Sequence, residues 1–449
     1  MSLPRYSEYK DSGVAWLGKI PSHWEVRPLK GIVSTPITDG PHETPVFGDE
    51  GVPFVSAEAV SSGVIDFGKI RGHISLEEHK RFSLKYKPLL HDIYMVKSGA
   101  TTGVTAIVET DKEFNIWSPL AAIRCNAEIA LPYFVLNFLR SRNFQEAVAL
   151  NWSFGTQQNI GMGVLGDLPI AVPPDYEQTT IASFLNRETG KIDALIAEQE
   201  KLLALLAEKR QSTISHAVTK GLHPDAPMKD SGVAWLGEVP EHWDVCLLKR
   251  AFATTDYGIS EQLSAEGLVA VLRMGNISNG QVLLDDLKYV EQVEPNLLLQ
   301  PGDLLFNRTN SLDLIGKVGL FVQKMETPIS FASYLVRLRL VNECAPEFFA
   351  YLLNTHGVLG DARARAFISI GQCNLNPSRY GEIVIGIPPL AEQTAIATFL
   401  DVETAKLDAL KAESERAIAL LKERRSALIA AAVTGQIDVR SLVTEQEAA

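Results

Sequence analysis

A chain of 449 residues with 46% apolar residues is long enough for two to four domains, and its formal net charge of −12 argues against a surface uniformly coated for nucleic acid. A local basic face stays compatible with that total, because phosphate binding depends on the charge near the duplex. No apolar run approaches the ~20 residues that span a bilayer, and the N-terminal stretch lacks a signal-peptide core. Cys125, Cys246, Cys344 and Cys373 stand far apart with no CxxC pair, so a cytoplasmic protein with reduced thiols is expected.

The first 26 residues carry KDSGVAWLG (Lys10 to Gly18), which recurs unchanged from Lys229 to Gly237. The longer block DSGVAWLGKIPSHWEV matches DSGVAWLGEVPEHWDV at an offset of 219. Residues 27–172 form a variable middle. VPFVSAEAV and DIYMV read as strands between Gly and Asn/Ser turns, whereas PYFVLNFLRSRNFQEAVAL has helical spacing. Residues 173–222 open on Pro173-Pro174 and continue from Glu177 to about Lys220 as a long helix. Leu185, Ile192, Leu195, Leu202 and Leu206 are its expected seam.

The plan then repeats. Residues 223–245 hold the second joint, and 246–387 a second middle with strands GLVAVLRMGNI, GDLLF and EIVIGIP and the helical stretch PEFFAYLLNTHGVLGDARARAF. Residues 388–437 form a second long helix, with Leu400, Leu407, Leu410, Leu421 and Leu428 as its seam, and 438–449 a tail. PPDYEQTTIASFLNRETGKIDAL at Pro173 matches PPLAEQTAIATFLDVETAKLDAL at Pro388 with an offset of 215 and no gap. This is a tandem repeat with near-identical ends and divergent middles. The expected fold is α+β: two globular α+β domains joined by two long helices in an antiparallel coiled coil, with pseudo-twofold symmetry. Each helix of about 40 residues reaches ~60 Å at 1.5 Å per residue.

No constellation for catalysis is found. GKVG at Gly316 lacks the rest of a phosphate loop, HExxH and GxSxG are absent, and Val172 precedes PPDY where an amino-methyltransferase needs Asp or Asn. His23 and His242 sit in the repeated PxHW motif and read as pinned histidines beside tryptophan. Recognition candidates do occur. EEHKRFSLKYKP supplies Lys80, Arg81 and Lys85. KSGATTG supplies Lys97, Ser98, Thr101 and Thr102. RMGN supplies Arg273 and Asn276, with Ser56 opposite Arg273, and NRTNS supplies Asn307, Arg308, Asn310 and Ser311. Gln157 and Asn159 fall opposite Gln372 and Asn374. Lys and Arg suit phosphates or guanine edges, and Asn and Gln can bond adenine bidentately.

KDSGVAWLGKIPSHWEV, GDLLFNRTNS with GKVG, and IPPLAEQTAIATFL together resemble the specificity subunit of type I restriction-modification systems, over essentially the whole chain. The resemblance implies that 27–172 and 246–387 are target recognition domains, each reading half of a bipartite, asymmetric double-stranded DNA sequence. The joints and helices would dock two modification methyltransferase subunits that bind S-adenosylmethionine. Restriction subunits would add translocation and cleavage driven by ATP and Mg. The chain itself would hold no cofactor, metal or catalyst and make no membrane contact. The alternative reading is a coiled-coil scaffold that organises partners without reading DNA. In either case the first joint is expected beside the end of the second helix, with the second joint following the first helix.

Overall fold

The computed structural model describes residues 3–154, 158–323, 327–369 and 372–443. The chain forms two compact units. One comprises residues 1–200 and 416–449, and the other residues 201–415. Each unit therefore takes one variable middle and a stretch of both long helices, which run over Asp175–Lys220 and Leu390–Val433.

In the first unit the repeated nonapeptide builds a hairpin, Tyr9–Asp11 against Lys19–Pro21. Its sequence explains its shape. The Asp11 Oδ1 accepts the Gly13 N–H at 2.9 Å, and the Ser12 Oγ accepts the Val14 N–H at 3.1 Å. Two short polar side chains thus replace backbone partners in the turn. Gly13 and Gly18 take φ of 73° and 66°, a region open to glycine. In the second unit Asp230, Ser231, Gly232 and Gly237 repeat every one of these features, in the hairpin Met228–Asp230 with Glu238–Pro240. Leu17 and Leu236 are buried, and Trp16 packs edge-on against Phe138 and Phe144.

The first middle is built on a four-stranded antiparallel sheet in the order Thr38–Asp39, Leu120–Ile123, Ile93–Val96, Thr105–Ile107. A smaller sheet pairs Val52–Val55 with His73–Ile74 and Asn115–Ile116. The run VPFVSAEAV is not all strand. Beyond Val55 it turns into a short helix, Ala57–Val60, with Ser56 as its N-terminal cap residue. PYFVLNFLRSRNFQEAVAL splits into two helices, Pro132–Arg140 and Arg142–Leu150. The buried Ser141 between them accepts the Phe144 N–H and starts the second. One core holds Trp24 of the joint, Met95, Phe134, Phe138 and Phe144 of this middle, and Ile181 and Leu185 of the first helix, with Ile429, Ala432 and Val433 from the second.

The second middle has a six-stranded sheet ordered Phe252–Tyr257, Leu335–Leu340, Leu304–Asn307, Val318–Leu320, Gln281–Val282, Ile277–Ser278. Its helices are Pro346–Leu352 and His356–Arg365. The core repeats the first in outline: Trp243, Phe306, Phe348 and Tyr380, with Ile214 and Ala217 of one long helix and Ile396 and Leu400 of the other. His91 marks a departure between the two copies. It takes φ of 67° at the position where the second middle has Gly302 at φ 98°.

Within each unit the two helix segments run antiparallel. In the first, Leu185 shares the core with Ile429 while Asp193 pairs with Arg425 at 2.8 Å. In the second, Arg210 pairs with Asp408 at 3.2 Å while Ala217 shares the core with Ile396 and Leu400. As one segment advances, the other recedes.

The seam itself needs a correction. Leu185, Ile192, Leu206, Leu400 and Leu407 are buried, and Leu421 and Leu428 are partly covered, but Leu195, Leu202 and Leu410 are exposed at 53%, 40% and 49%. The covered stripe of the first helix instead steps through Thr189, Ile192, Ile196, Gln199, Leu203 and Leu206, in alternating strides of three and four. The stripe of the second passes Thr404 and Ser414. Thr189 and Thr404 fit because each hydroxyl donates to the carbonyl four residues back, to Leu185 and Leu400, at 2.7 Å. Following leucines rather than strides shifts the reading one residue off the true face.

Candidate nucleic-acid interface

Two repeated structures frame each variable middle. The first is a carboxylate clasp. Glu177, the acidic residue of PPDYEQ, is fully buried and accepts hydrogen bonds from Trp24 Nε1 at 2.9 Å and the Tyr6 hydroxyl at 2.9 Å. His23 Nε2 lies 2.6 Å away, the Tyr176 hydroxyl donates at 2.9 Å, and the Arg440 guanidinium stands at 3.7 Å. Burial pushes this carboxyl up, but the hydrogen bonds from Trp24, His23, Tyr6 and Tyr176 outweigh it and hold the group below its ordinary 4.5. In the second unit Glu392 of PPLAEQ meets His242 at 2.7 Å and Trp243 at 3.2 Å and remains 20% exposed. Both histidines are thus pinned beside a buried tryptophan.

The second structure is a glutamine strut. Gln178 accepts the Leu131 N–H at 2.7 Å and donates to the carbonyls of Ile129 and Pro173, each at 2.9 Å. Gln393 does the same with Ala345 N–H, Glu343 O and Pro388 O. One side chain ties the start of each long helix to the start of the middle's own helix. The sequence shows the EQ pair twice but not what it holds. The first joint also meets the far end of the second helix, as expected. The Tyr9 hydroxyl donates to Gly435 O at 3.0 Å and Gln436 Nε2 to Lys19 O at 2.7 Å.

On these frames the candidate recognition residues gather into corresponding places. In the first unit the loop after strand Ile93–Val96 meets the hairpin of Ser153–Phe154 with Gln158–Asn159. Ser98 bridges to Asn159, Ile160 N donates to Lys97 O, and Thr102 Oγ1 donates to Gly99 O at 2.7 Å. Thr101 sits in the same loop, half-buried. Gln157 lies outside the described residues. In the second unit Thr309–Asn310 pairs with Gln372–Asn374, and Leu375 N donates to Arg308 O. Arg308, Asn310, Ser311, Gln372 and Asn374 are therefore brought together by the same construction.

Several of these side chains hold one another or the framework. Lys85 and Lys97 both reach Asp39, at 2.5 and 3.1 Å, and Asp39 is 1% exposed. Burial raises the Asp39 carboxyl, yet the hydrogen bonds and charges of the two lysines bring it below its ordinary value. Arg81 pairs with Glu43 at 2.8 Å, and Lys80 is exposed on the same short helix, Leu76–Ser83, apart from the loop cluster. Arg308 donates to Asn374 Oδ1 at 3.3 Å and lies over the Tyr257 ring. Arg273 and Asn276 stand on a separate loop. Arg273 bonds Asp286 at 2.6 Å, and the buried Asn276 caps that turn through the Arg273 N–H and Asp285 O. Asn307 is buried, its backbone bonded to Lys317 and Gly316.

Sequence reading missed the ion pair beneath each loop strand, Asp92 with Arg124 at 2.7 Å and Asp303 with Arg339 at 2.7 Å. Their corresponding placement on the aligned DIYMV and DLLFN strands was the available signal. The middles also differ behind the loops. In the first unit a groove of about 950 Å³ lies between Tyr133, Asn137 and Arg140 on one side and Asn186 and Arg425 on the other. In the second unit Tyr351 spans the corresponding place, donating to Asp401 at 2.8 Å. Among the described residues no group of His, Cys, Asp and Glu has the arrangement of a metal site, and no helix is long and apolar enough to cross a membrane.

Residues 21–204 match the family described as the type I restriction modification DNA specificity domain. The chain is 24% identical over 311 residues to the EcoKI specificity subunit of Escherichia coli K12, covering 68% of this chain and 65% of that one. It is 26% identical over 441 residues to the putative MjaX specificity subunit of Methanocaldococcus jannaschii, covering 95% and 96%. Among solved structures, a chain from work on assembly and conformational transition of the type I R-M system superposes with a TM-score of 0.65 at 16% identity, covering 92% of this chain and 98% of that one. The HsdS subunit from Thermoanaerobacter tengcongensis does so with a TM-score of 0.54 at 16% identity, covering 93% and 98%. In sequence and in fold, along nearly its full length, the chain is thus similar to the specificity subunits of type I restriction-modification systems.

Proposed function

We propose that this chain is the non-catalytic DNA-reading subunit of a type I restriction-modification complex, with residues 27–172 and 246–387 each reading one half of a bipartite, asymmetric target. The observation that carries this is the pairing of sameness with difference. The hairpin, the His-Trp-Glu centre of the clasp and the glutamine strut recur in both units, while the loop and hairpin they support present Lys97, Ser98, Thr102 and Asn159 in one unit and Arg308, Asn310, Ser311, Gln372 and Asn374 in the other. Identical frames suit two copies of one partner; different loops suit two half-sites.

The partners are two modification methyltransferase subunits and the restriction subunits, and methyl transfer and cleavage reside there. Exposed leucines on the long helices support helix-on-helix docking. The first unit presents Leu195 and Leu420 and the second Leu205 and Leu410, at repeat-equivalent positions. Catalysis in those partners accounts for the lack of a reaction centre in the sequence motifs.

The test is to map methylated adenines in DNA exposed to the assembled complex, then to replace residues 27–172 with those of another family member. One half of the methylated sequence should change and the other persist. A change in both halves, or in neither, defeats the assignment of one half-site to each domain. Sequence-independent protection in footprinting at moderate salt would favour the scaffold reading.

A further inference from the structure

The repeat supplies an internal control for the groove behind the first middle. Ser141 and Thr355 align the two copies there. Each hydroxyl donates to the carbonyl three residues back, of Phe138 and of Leu352, at 2.6 and 2.7 Å. Arg140 therefore corresponds to Asn354, and both tie a helix end to a strand. Asn354 donates to Val318 O at 2.9 Å and accepts the Val318 N–H at 3.1 Å. Arg140 donates to Thr105 Oγ1 at 3.2 Å, to Thr105 O at 3.1 Å and to Gly63 O at 2.5 Å. A neutral amide thus suffices for the tie, and the charge of Arg140 answers no need of the fold. Arg140 is partly buried, has no carboxylate within ion-pair distance among the described residues, and leaves its Nη1 without a hydrogen-bond partner among them. Burial, with the charge of Arg425, pushes this guanidinium down from its ordinary value.

Three further differences open the space beside it. Asn137 stands where the second unit has Tyr351, whose hydroxyl reaches Asp401 and Thr404 at 2.8 and 3.2 Å. Asn186 replaces Asp401, and Gly190 replaces Ala405. Gly190 lies inside a 46-residue helix, where glycine is unfavourable, yet a Cβ there would meet nothing within 4 Å. Among the described residues, nothing requires its smallness. The groove of about 950 Å³ is the result. Of its other charged groups, Asp193 is taken by Arg425 at 2.8 Å and Glu109 by the Tyr133 hydroxyl at 3.0 Å, so Arg140 is left unmatched. The groove lies away from the recognition loop. His91 lines it and precedes the strand Ile93–Val96, whereas Lys97 follows that strand, about 20 Å away at ~3.3 Å per residue. A duplex would bring a row of phosphates past Glu109 and Asp193. A single carboxylate matches the one spare cation.

We propose that this groove is a docking slot for an Asp or Glu side chain of the modification subunit seated on the first unit, received by Arg140 and approached closely past Gly190. The identity of the partner rests on the function proposed above. At the second unit Tyr351 and Asp401 close the corresponding place, so two copies of one partner meet different surfaces there.

The experiment titrates the full chain with its modification subunits in the absence of DNA and follows both binding steps by sedimentation velocity. G190F fills the groove from a position where a side chain meets nothing. It should weaken one of the two steps about tenfold, the worth of a hydrogen bond between charged groups, while the melting temperature stays the same or rises. R140N, which installs the residue of the second copy, should weaken the same step. R140K places an amine in the groove of the assembled complex. Carbodiimide, which joins an amine to a carboxylate, should then link position 140 to an Asp or Glu of the modification subunit, located by mass spectrometry. The proposal is overturned if either G190F or R140N assembles like the wild type, or if the R140K cross-links stay within this chain. It is also overturned if the variants assemble normally and lose DNA binding instead, which would place nucleic acid in the groove. If the wild-type chain binds no modification subunit, the function proposed above fails, and the identity of the partner with it.

Discussion

The clasp at Glu177 and the clasp at Glu392 are built from the same motifs and finished differently. Glu177 is sealed from solvent and contacted by Tyr6, His23, Trp24, Tyr176 and Arg440. Glu392 keeps a solvent-facing edge and meets His242 and Trp243. The contacts they share, PxHW to PPxxEQ, define the repeated frame. The additions in the first unit come from Tyr6, Tyr176 and Arg440, and Ala391 stands where the repeat aligns with Tyr176. The consequence is a first unit whose integrity is concentrated in one buried charge, and a second whose integrity is spread over its larger sheet.

Removing the charge tests this most severely. Glu177→Ala strands the Trp24 and Tyr6 donors and should destabilise the first unit by about 3–5 kcal/mol. Glu392→Ala, with water able to replace the lost oxygen, should cost the second about 1–2 kcal/mol. Amide hydrogen exchange in the full chain reads the two separately, at strand residues 93–96 and 304–307. Equal losses would remove the distinction.

Acid gives the same comparison without mutation. Glu177 and Asp39 are both held below their ordinary values of 4.5 and 3.8, so the unfolded chain binds their protons more readily. Their contribution is complete above those unfolded values and is lost as pH falls through the lower folded ones. Protection of the first unit should decline as pH falls below these ordinary values. A flat profile there would show that these carboxylates do not hold the unit.

A smaller effect is expected at Arg440, partly exposed and shared between Asp438 at 2.7 Å and Glu177 at 3.7 Å. Arg440→Ala should cost about 1 kcal/mol and act on the first unit alone. The smallest effect belongs to the interhelical pairs. Arg425 with Asp193 and Arg210 with Asp408 are each about one-third to one-half exposed, and Arg425→Ala or Arg210→Ala should cost about 0.5 kcal/mol or less. A loss of several kcal/mol at either would mean that the helix pairing depends on charge rather than on its apolar stripe.

Much of this was legible in the residues. The repeat revealed the joints, the helix starting near Glu177, the two middles and the loop positions, because each is a local pattern written twice. The stripe of the coiled coil was only partly legible. Thr189, Gln199 and Ser414 occupy it, and leucines at 195, 202 and 410 compete for attention on an exposed face. Long-range partners were not legible at all. Nothing near Lys85 or Lys97 announces Asp39, and EQ does not name the backbone groups its glutamine will hold. Those contacts are fixed by how strands far apart in sequence come to lie side by side.

The division of the chain also sets an order in time. Residues 201–415 are one continuous stretch and can complete their unit while the rest is still being synthesised. The first unit cannot. Its core waits for Ile429, Ala432 and Val433, and its clasp for Arg440. Residues 1–200 therefore emerge from the ribosome before 201–415 and stay unfinished until residues 429–440 have followed. Of the two units, the one begun earlier is sealed later, and a synthesis product interrupted between them would expose that apolar core to chaperones and proteases.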